Sequence, residues 1–522
     1  MNDRDQATTI ADDVRQLHQM GYAQELARRM SGFSNLAISM SIICILAGGI
    51  TSFHLGFGSV GGASIGIGWP LVCCFSLVVA AAMAQVASAF PTAGGLYHWA
   101  SILGGRGWGW VTAWFNIAGL VTVLAAINVG TYEFIAGSFL PDEMRTLATQ
   151  LAIVGGITFS QALLNHLGIR VTTLLTDFSG YWILLVAAVL TIVLLAAADA
   201  WEPARLVTFS NYSGKPSGDP VWPATGSLAI LFALGLQLPA YTITGFDASA
   251  HVSEETIGAA INVPRGIVRS VLVSGIAGWI MLVAIVLAMP DMDQGAAQGK
   301  QVFFWTLREL LPAWGWRLLC GAIAIAQYLC GLATVTSASR MAYAFARDGG
   351  LPVSHRLRRV SQRFRTPDVA IWTVAVAAFL FTVYAQLYQT IAAVCTILLY
   401  ISYVLPSALG FAAYGRTWRQ MGPWHLGFWY RPLAAASVAG CIGLIAIGLY
   451  PFNNTATLVV AGTVAALAAF WWLFARHYFA GPPVGVISIQ RQAEIYAEEE
   501  AVHQPHLPEE AEQHRLHGGG DG

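Results

Sequence analysis

Twelve apolar runs, each long enough to cross a lipid bilayer as a helix, constrain the fold of this chain more than any other feature. A hydrocarbon core about 30 Å thick needs about 20 helical residues at 1.5 Å each. Only 11% of the 522 residues are charged, whereas soluble proteins carry about 25%. Because backbone groups in lipid need internal partners and no run alternates like a barrel strand, we predict an all-α integral membrane protein. The predicted spans are residues 33–56, 67–89, 107–136, 147–166, 173–197, 227–250, 267–289, 315–344, 369–386, 389–413, 433–450 and 456–478.

The distribution of basic residues predicts which side of the membrane each loop faces. Cytoplasmic loops of membrane proteins are enriched in lysine and arginine, and this chain has 27 such residues. If the amino terminus is cytoplasmic, the segment Ser354–Pro367 falls on the cytoplasmic side with five arginines, and only six basic residues fall on the opposite side. Both termini are therefore predicted to be cytoplasmic. The six are Arg145, Arg205, Lys215, Lys300, Arg308 and Arg317.

Three regions are predicted along the chain. Residues 1–30 are polar and of mixed charge, without the apolar segment of a cleavable signal, and are predicted to form a cytoplasmic tail. Residues 31–480 hold the twelve spans. Residues 481–522 are acidic and poor in apolar residues, so we predict a disordered cytoplasmic tail.

Patterns typical of enzymes occur only in the wrong context. Gly56–Gly61 matches a dinucleotide-binding fingerprint, and Gly62–Gly66 matches the serine turn of hydrolases. Both patterns need a strand before them and a helix after them, but here they are predicted to lie in a short outer loop between two spans. Metal-ligand spacings, paired carboxylates in the spans and basic nucleic-acid patches are missing from the sequence. We therefore predict no catalytic residues, no metal ligands and no nucleic-acid binding, and a protein that is not an enzyme.

Two predicted spans contain residues that destabilise a helix inside the membrane. The first span holds Gly48 and Gly49, followed by Thr51, and the sixth continues from Tyr241 into TITGFD (Thr242–Asp247). Glycine costs about 1 kcal/mol in a helix interior, and a charge at the bilayer centre costs about 3 kcal/mol. The two interruptions are five spans apart. That spacing is expected if residues 31–197 and 227–413 are two repeated five-helix halves, with residues 433–478 forming the last two helices.

Interrupted helices at matching positions of two repeats indicate the binding site of a secondary transporter. An unwound turn leaves N–H groups that favour a carboxylate and carbonyl groups that favour an ammonium or sodium ion. The alternative is a pair of glycine kinks that only help helices to pack. Asp247 itself has three possible roles: coupling to a proton or gating, capping the second half-helix, or contacting a substrate amine.

Five motifs in order resemble the amino acid–polyamine–organocation transporters, and within them the amino acid/choline permeases, which include GABA permeases. The resemblance covers about residues 20–480. Its motifs are AGGITS in the first span, Ala87–Ser101 after the second, TGFDASAHVSEET in the sixth, Asn262–Ile267 behind it and Ser339–Pro352 at the end of the eighth.

The resemblance implies twelve helices in a LeuT-type five-plus-five inverted repeat, with broken helices one and six and alternating access to a central site. It implies that a substrate carboxylate lies against the backbone of the first break, and that its ammonium meets carbonyls of the sixth helix, with Tyr241 as an aromatic gate. The implied substrate-binding residues are Gly48, Gly49, Ile50, Thr51, Tyr241, Thr242, Thr244, Gly245 and Phe246.

The resemblance to this family is less complete at the residues that would couple transport to an ion or gate the site. Asp247 falls where some relatives carry a glutamate linked to proton response. Thr336 and Ser337 resemble a hydroxyl pair that binds sodium in other members of the fold, although small residues there also suit helix packing. The lysine that some proton-coupled relatives carry in the fifth span is absent. We therefore expect a coupling ion, which is either a proton or sodium, and the sequence does not decide between the two. No other cofactor is expected.

The leading functional prediction is uptake or exchange of a small zwitterion, an amino acid or GABA, because the site has few fixed charges. A choline-like quaternary amine or a polyamine is the alternative within the same superfamily, and cation–π contacts from Tyr241, Phe246, Trp110 or Trp114 would suit the former. A transporter-like sensor is a further alternative. The excess of arginine over lysine suggests a bacterial inner membrane. The expected partners are the substrate and membrane lipids.

Overall fold

The computed structural model describes residues 3–384, 388–450, 454–483 and 487–503. Within these ranges the chain is helical, and extended pairing is limited to isolated bridges at Met30–Thr256 and Tyr414–Trp418. The α-helices are α1 (Asp3–Gln19), α2 (Gly32–Ile43), α3 (Phe53–Val60), α4 (Trp69–Ala89), α5 (Leu96–Gly104), α6 (Arg106–Phe139), α7 (Leu147–His166), α8 (Ile169–Ala197), α9 (Leu228–Gly235), α10 (Gln237–Thr242), α11 (Ala248–His251), α12 (Ala259–Ala288), α13 (Met292–Ala297), α14 (Val302–Leu310), α15 (Ala313–Arg347), α16 (Ser354–Leu357), α17 (Asp368–Tyr384), α18 (Tyr388–Ala413), α19 (Tyr430–Gly448), α20 (Asn454–Phe470), α21 (Arg476–Tyr478) and α22 (Ile489–His503).

Ten helices of the described part are long and apolar enough to cross a membrane, and two shorter apolar helices, Leu228–Thr242 and Asp368–Val383, lie where the sixth and ninth spans are predicted. The surface of the bundle is apolar, with side chains such as Leu174, Ile192 and Leu318 exposed. Such a surface suits lipid rather than water. The all-helical membrane architecture is therefore confirmed, whereas the count of twelve spans and the five-plus-five repeat stay predictions.

The first and sixth predicted spans lie side by side and run in opposite directions. Asn35 Nδ2 in α2 donates a hydrogen bond to the carbonyl of Ser249 over 2.9 Å. Further along, a Cβ placed on Gly48 would lie 3.0 Å from Cα of Thr242. The residue number falls in one segment as it rises in the other, so both interruptions come to the same depth of the bundle.

The two ends of the described chain meet on one face, which we call the terminal face. Glu499 in α22 accepts a hydrogen bond from the backbone N–H of Gln24 over 2.7 Å and contacts His18 Nε2 at 2.7 Å. Arg491 in α22 donates to the carbonyl of Gly21. Residues 489–503, within the tail predicted to be disordered, form α22, which has partners in the amino-terminal segment; the division of the chain into three regions stays a prediction. Residues 504–522 lie outside the described residues.

The two enzyme-like glycine patterns lie in helical structure, not in the predicted loop. Gly56–Gly61 runs along α3 and ends just past it, and a π-helical turn covers Ser64–Gly68. Ser64 is buried and shares a 2.8 Å hydrogen bond with Ser59. Because neither pattern follows a strand, both lack the context that their chemistry requires.

Candidate functional site

The first interruption begins before the glycine pair on which the prediction rests. Helix α2 ends at Ile43, and Cys44 has φ 17° and ψ 86°, outside the helical region. A π-helical turn then covers Ile45–Gly49, and α3 starts at Phe53. The wide π turn brings the backbone of Gly48 against Thr242, where a larger residue would collide. The N–H of Gly48 donates to the carbonyl of Cys44 over 3.0 Å in this conformation.

The second interruption lies where its sequence predicts it. Helix α10 ends at Thr242, and the chain is non-helical from Ile243 until α11 starts at Ala248. Gly245 has a φ of +86°, which a residue with a side chain rarely adopts. Its N–H donates to the hydroxyl of Tyr403 in α18 over 3.0 Å. A glycine and an external acceptor therefore hold the unwound turn.

A small cavity lies between the two interruptions, and we call it the central cavity. Its volume is about 10 Å³, room for about one water molecule, whereas pockets for drug-sized ligands measure roughly 300–1,000 Å³. The central cavity is therefore contracted in this conformation, and a ligand larger than water would need it to widen. Its lining residues are all uncharged: Ile42, Ile43, Ala47, Gly48, Val123, Ile127, Tyr241, Thr242, Thr244 and Cys330.

The central cavity brings together four residues of the predicted site, namely Gly48, Tyr241, Thr242 and Thr244. The remaining predicted substrate residues do not line it. A Cβ on Gly49 would point to Met281, Leu282 and Trp69, each 3.8 Å away and on the side of α4 and α12. Six lining residues are missing from the predicted site, and all are apolar or cysteine. Inside an apolar span, the sequence does not distinguish an apolar residue that lines a cavity from one that packs against another helix.

The remaining predicted residues of the two breaks are buried or contact other parts of the protein. Ile50 is buried, and the Thr51 hydroxyl donates to the carbonyl of Ala47 in its own helix. The Phe246 ring packs on Tyr403 with centroids 4.9 Å apart, and the Phe246 carbonyl accepts from Ser39 over 2.9 Å.

Asp247 is fully buried and holds three side-chain contacts, in what we call the acid–histidine cluster. The hydroxyl of Tyr403 donates to Oδ1 over 2.7 Å, and Asn116 Nδ2 donates to Oδ2 over 2.9 Å. Nε2 of His251, one helical turn later, lies 3.2 Å from Oδ2. Sequence reasoning missed all three partners. Tyr403 and Asn116 are remote in sequence, but the spacing of four between Asp247 and His251 in a helical turn was a signal that could have been used.

Thr336 and Ser337 lie in α15 and do not line the central cavity, although Cys330 of the same helix does. The Thr336 hydroxyl donates to Asn165 Oδ1 in α7 over 2.6 Å. The Ser337 hydroxyl is buried and has no hydrogen-bond partner among the described residues.

Two buried ion pairs lie next to the amino-terminal segment at the terminal face. Arg347 pairs with Glu254 at 2.8 Å, and Arg340 pairs with Glu255 at 3.0 Å. Burial raises the pKa of Glu254, but the Arg347 guanidinium outweighs this and holds the pKa below its usual value. Glu254 Oε1 also accepts from the N–H of Ala93 over 3.1 Å. These pairs tie the segments after the second, sixth and eighth predicted spans together.

Known proteins resemble the chain over nearly its full length. A model of the amino acid permease family matches residues 30–474. The amino-acid permease BAT1 of Arabidopsis thaliana is 33% identical, across 90% of this chain and 96% of the relative. A BAT1 homolog from Oryza sativa subsp. japonica is 32% identical, across 89% of this chain and 94% of the relative. A putative polyamine transporter from Candida albicans is 26% identical, across 91% of this chain and 90% of the relative.

These relatives are permeases and transporters rather than enzymes, in agreement with the motifs that resemble the amino acid–polyamine–organocation transporters. The chain is an integral membrane protein, and it belongs to the amino acid permease family.

Proposed function

We propose that the protein is a secondary active permease that moves a small zwitterion, an amino acid or GABA, by alternating access around the central cavity. The observation that supports this is the uncharged lining of the cavity. A zwitterion carries both charges itself, and the backbone dipoles of the two interruptions can meet them. The only nearby acid that the sequence suggested, Asp247, is engaged by its own partners.

In this proposal Gly48, Tyr241, Thr242 and Thr244 contact the substrate, and the other predicted residues support them. The antiparallel pairing of the two interrupted segments supports the five-plus-five inverted repeat, with halves at residues 31–197 and 227–413. The basic residues support cytoplasmic termini. A bacterial inner membrane rests on the arginine excess alone and stays a prediction.

A polyamine is the second candidate, because the Candida albicans relative is named a putative polyamine transporter. The uncharged lining weighs against it, since a polycation would need carboxylates in the cavity. Choline is less well supported, because Trp110 packs against Phe470 and Trp471 instead of lining the cavity.

The test uses purified protein in liposomes that contain an unlabelled mixture of the candidate substrates. Uptake of labelled GABA, alanine, glutamate, arginine, choline and putrescine is measured, first by exchange and then with an imposed proton or sodium gradient. We expect saturable exchange of at least one zwitterion. Saturable flux of putrescine or choline alone would replace the proposed substrate class, and absence of flux with any compound would contradict the proposed function.

A further inference from the structure

A second pocket, which we call the terminal pocket, opens at the terminal face. Its volume is about 300 Å³, at the lower end of the roughly 300–1,000 Å³ of small-molecule sites. Its walls come from the end of α1, the region from Phe90 through α5, the turn that follows α18 and the segment before α22. None of the described residues lines both this pocket and the central cavity. The terminal pocket is therefore a site of its own.

Arg419 gives the terminal pocket a positive charge, and no aspartate, glutamate or lysine is present among its described lining residues. An ordered turn presents this arginine, because the indole N–H of Trp418 donates to the carbonyl of Gln420 over 2.7 Å. Arg419 Nε donates to the carbonyl of Arg416 over 3.2 Å, and its guanidinium has no salt bridge to a carboxylate in the described part of the chain. A guanidinium matches the geometry of a carboxylate. The charge of the lining therefore suits a ligand with one anionic group.

His98 adds a buried polar atom to the terminal pocket. The residue is 1% exposed, its Nδ1 contacts the Thr92 hydroxyl at 3.0 Å, and its Nε2 has no hydrogen-bond partner among the described residues. Burial lowers the pKa of His98 to about 3, so the imidazole is neutral. Because a hydroxyl can donate or accept, Nε2 can serve a ligand in either role. Buried polar atoms are rarely left without a partner, and a polar ligand in this pocket would supply one.

The rest of the wall is largely apolar and partly aromatic. The rings of Phe90 and Trp418 lie with centroids 6.4 Å apart, and Met20 and Ile102 add aliphatic surface. Such a wall suits the apolar or aromatic body of a small ligand. A nucleotide carries two or more negative charges, which one guanidinium would not balance, and the ammonium group of an amino acid would find no carboxylate in the described lining. A monocarboxylate with an apolar body fits best.

The terminal pocket lies beside contacts that join the amino-terminal segment to the end of α15. His98 follows Tyr97, whose hydroxyl donates to Oδ2 of Asp348 over 2.7 Å. The Tyr22 hydroxyl donates to the same oxygen over 2.8 Å, and the Tyr22 ring is 5.6 Å from the His98 ring. A ligand that contacts His98 would therefore strengthen the packing of the segments that meet at Asp348.

We propose that the terminal pocket binds a small organic monocarboxylate with an apolar or aromatic body, and that this ligand slows exchange. Alternating access requires the terminal face to open for part of each cycle. A ligand held by all four segments binds the present arrangement better than one in which the segments have separated, so it shifts the population away from the open form. The effect on exchange rests on the proposed function, whereas binding of the ligand does not.

The first test measures binding of labelled phenylacetate to the purified protein in detergent. We expect saturable binding that Arg419→Gln weakens at least about fivefold, because a hydrogen bond to a charged group is lost, and that Ile102→Trp abolishes by filling the pocket. Phenylacetamide, which has the same shape without the charge, should not compete.

Two variants are the controls for binding. Arg416→Gln changes a neighbouring exposed arginine outside the lining, and Gly48→Val places a side chain against Thr242 at the central cavity. Both should bind phenylacetate as the wild type does. Absence of saturable binding at millimolar concentration, equal binding by the wild type and Arg419→Gln, or loss of binding in Gly48→Val would overturn the site.

The second test adds phenylacetate to the exchange assay in liposomes, with the labelled compound that gives the largest exchange signal in the panel above. Exchange is the readout because a weak acid would disturb an imposed pH gradient. Saturating phenylacetate should slow wild-type exchange at least about fivefold, the lower end of typical coupling between linked sites. Arg419→Gln should exchange at the wild-type rate and should not be slowed.

The two tests separate this proposal from the proposed function. Unchanged wild-type exchange at a saturating concentration of phenylacetate would overturn the effect on exchange. Absence of exchange with every compound would contradict the proposed function, and the binding test would then decide on the terminal pocket alone.

Discussion

Gly48 lies where the two interrupted segments of the predicted repeat are in close contact. Its missing side chain leaves room for Thr242, whose Cα, Cβ and hydroxyl oxygen would lie 3.0–3.1 Å from a Cβ at this position. Backbone is less able to give way than the end of a flexible side chain. Gly48 therefore sets both the distance between the interruptions and the shape of the central cavity.

We expect Gly48→Val to abolish exchange in liposomes while the protein still inserts and purifies, because the valine would fill the cavity and push against Thr242. Gly156→Val is the control: a Cβ at Gly156 in α7 would meet nothing within 4 Å. Its exchange rate should stay within about threefold of the wild type, as for a surface change worth less than about 0.5 kcal/mol. Wild-type exchange by Gly48→Val would remove Gly48 from the site.

Gly245 is constrained by both its backbone and its neighbour. A side chain at its φ of +86° costs about 1–2 kcal/mol. In addition, a Cβ would lie 2.3 Å from Cγ2 of Ile42. We expect Gly245→Ala to lower the thermal unfolding temperature in detergent.

A double-mutant cycle separates these two causes. Ile42→Ala should relieve the collision but not the backbone strain, so the double variant should lose less stability than the sum of the single variants. Strict additivity would show that the collision is absent. Gly443→Ala, where a Cβ meets nothing within 4 Å, should not be destabilising.

Sequence reasoning located the interruptions because glycine, threonine and aspartate are costly inside an apolar helix. It placed the first one at Gly48 although the backbone leaves the helix at Cys44. Cysteine behaves as a small buried hydrophobe and gives no local warning. Tyr403 and Asn116 could not be connected with Asp247, since only the packing of α6 and α18 brings them together.

At the level of elements, the terminal face is held by ion pairs between segments that follow different helices. The predicted spans came close to the observed helices because twenty consecutive apolar residues have few alternatives. The pairing of Glu254 with Arg347 could not be predicted in this way. A charged residue outside an apolar run marks the end of a span, but it does not indicate which other charge it pairs with.

We expect Arg347→Met to destabilise the protein by about 3–5 kcal/mol, because it removes the cation that is paired with the buried Glu254 carboxylate. Thermal unfolding in detergent measures this. Arg359→Met is the control, since Arg359 is exposed and only 3.9 Å from Asp368, and such pairs contribute little. Equal stability of the two variants would contradict the role assigned to the Arg347 pair.

The Glu254–Arg347 pair also predicts that the stability of the folded protein depends on pH. The pKa of Glu254 is lowered from its usual 4.5 in the folded protein, so its stabilising effect is complete above pH 4.5 and is lost as the pH falls through the lower folded value. The wild type should therefore lose stability at acid pH more steeply than Arg347→Met does. Parallel pH profiles for the two proteins would contradict this.

At the level of the whole molecule, the orientation in the membrane can be read from single cysteines. Six native cysteines are buried and only Cys74 is exposed, so Cys74→Ala provides an unreactive background. An impermeant maleimide added to intact cells should label Ser217→Cys, in the long segment between α8 and α9. It should label Gln362→Cys and Gln492→Cys only after permeabilisation. The opposite pattern would invert the predicted topology.

The meeting of α1 and α22 has a practical consequence for anyone who trims the chain to obtain crystals or better expression. Removing residues after Tyr478 would look harmless from composition, because that region is acidic and poor in apolar residues. It would also remove Glu499, which accepts from the N–H of Gln24, and Arg491, which donates to the carbonyl of Gly21. The amino-terminal segment would thereby lose contacts that hold it at the terminal face. Shortened forms should therefore keep every residue up to His503.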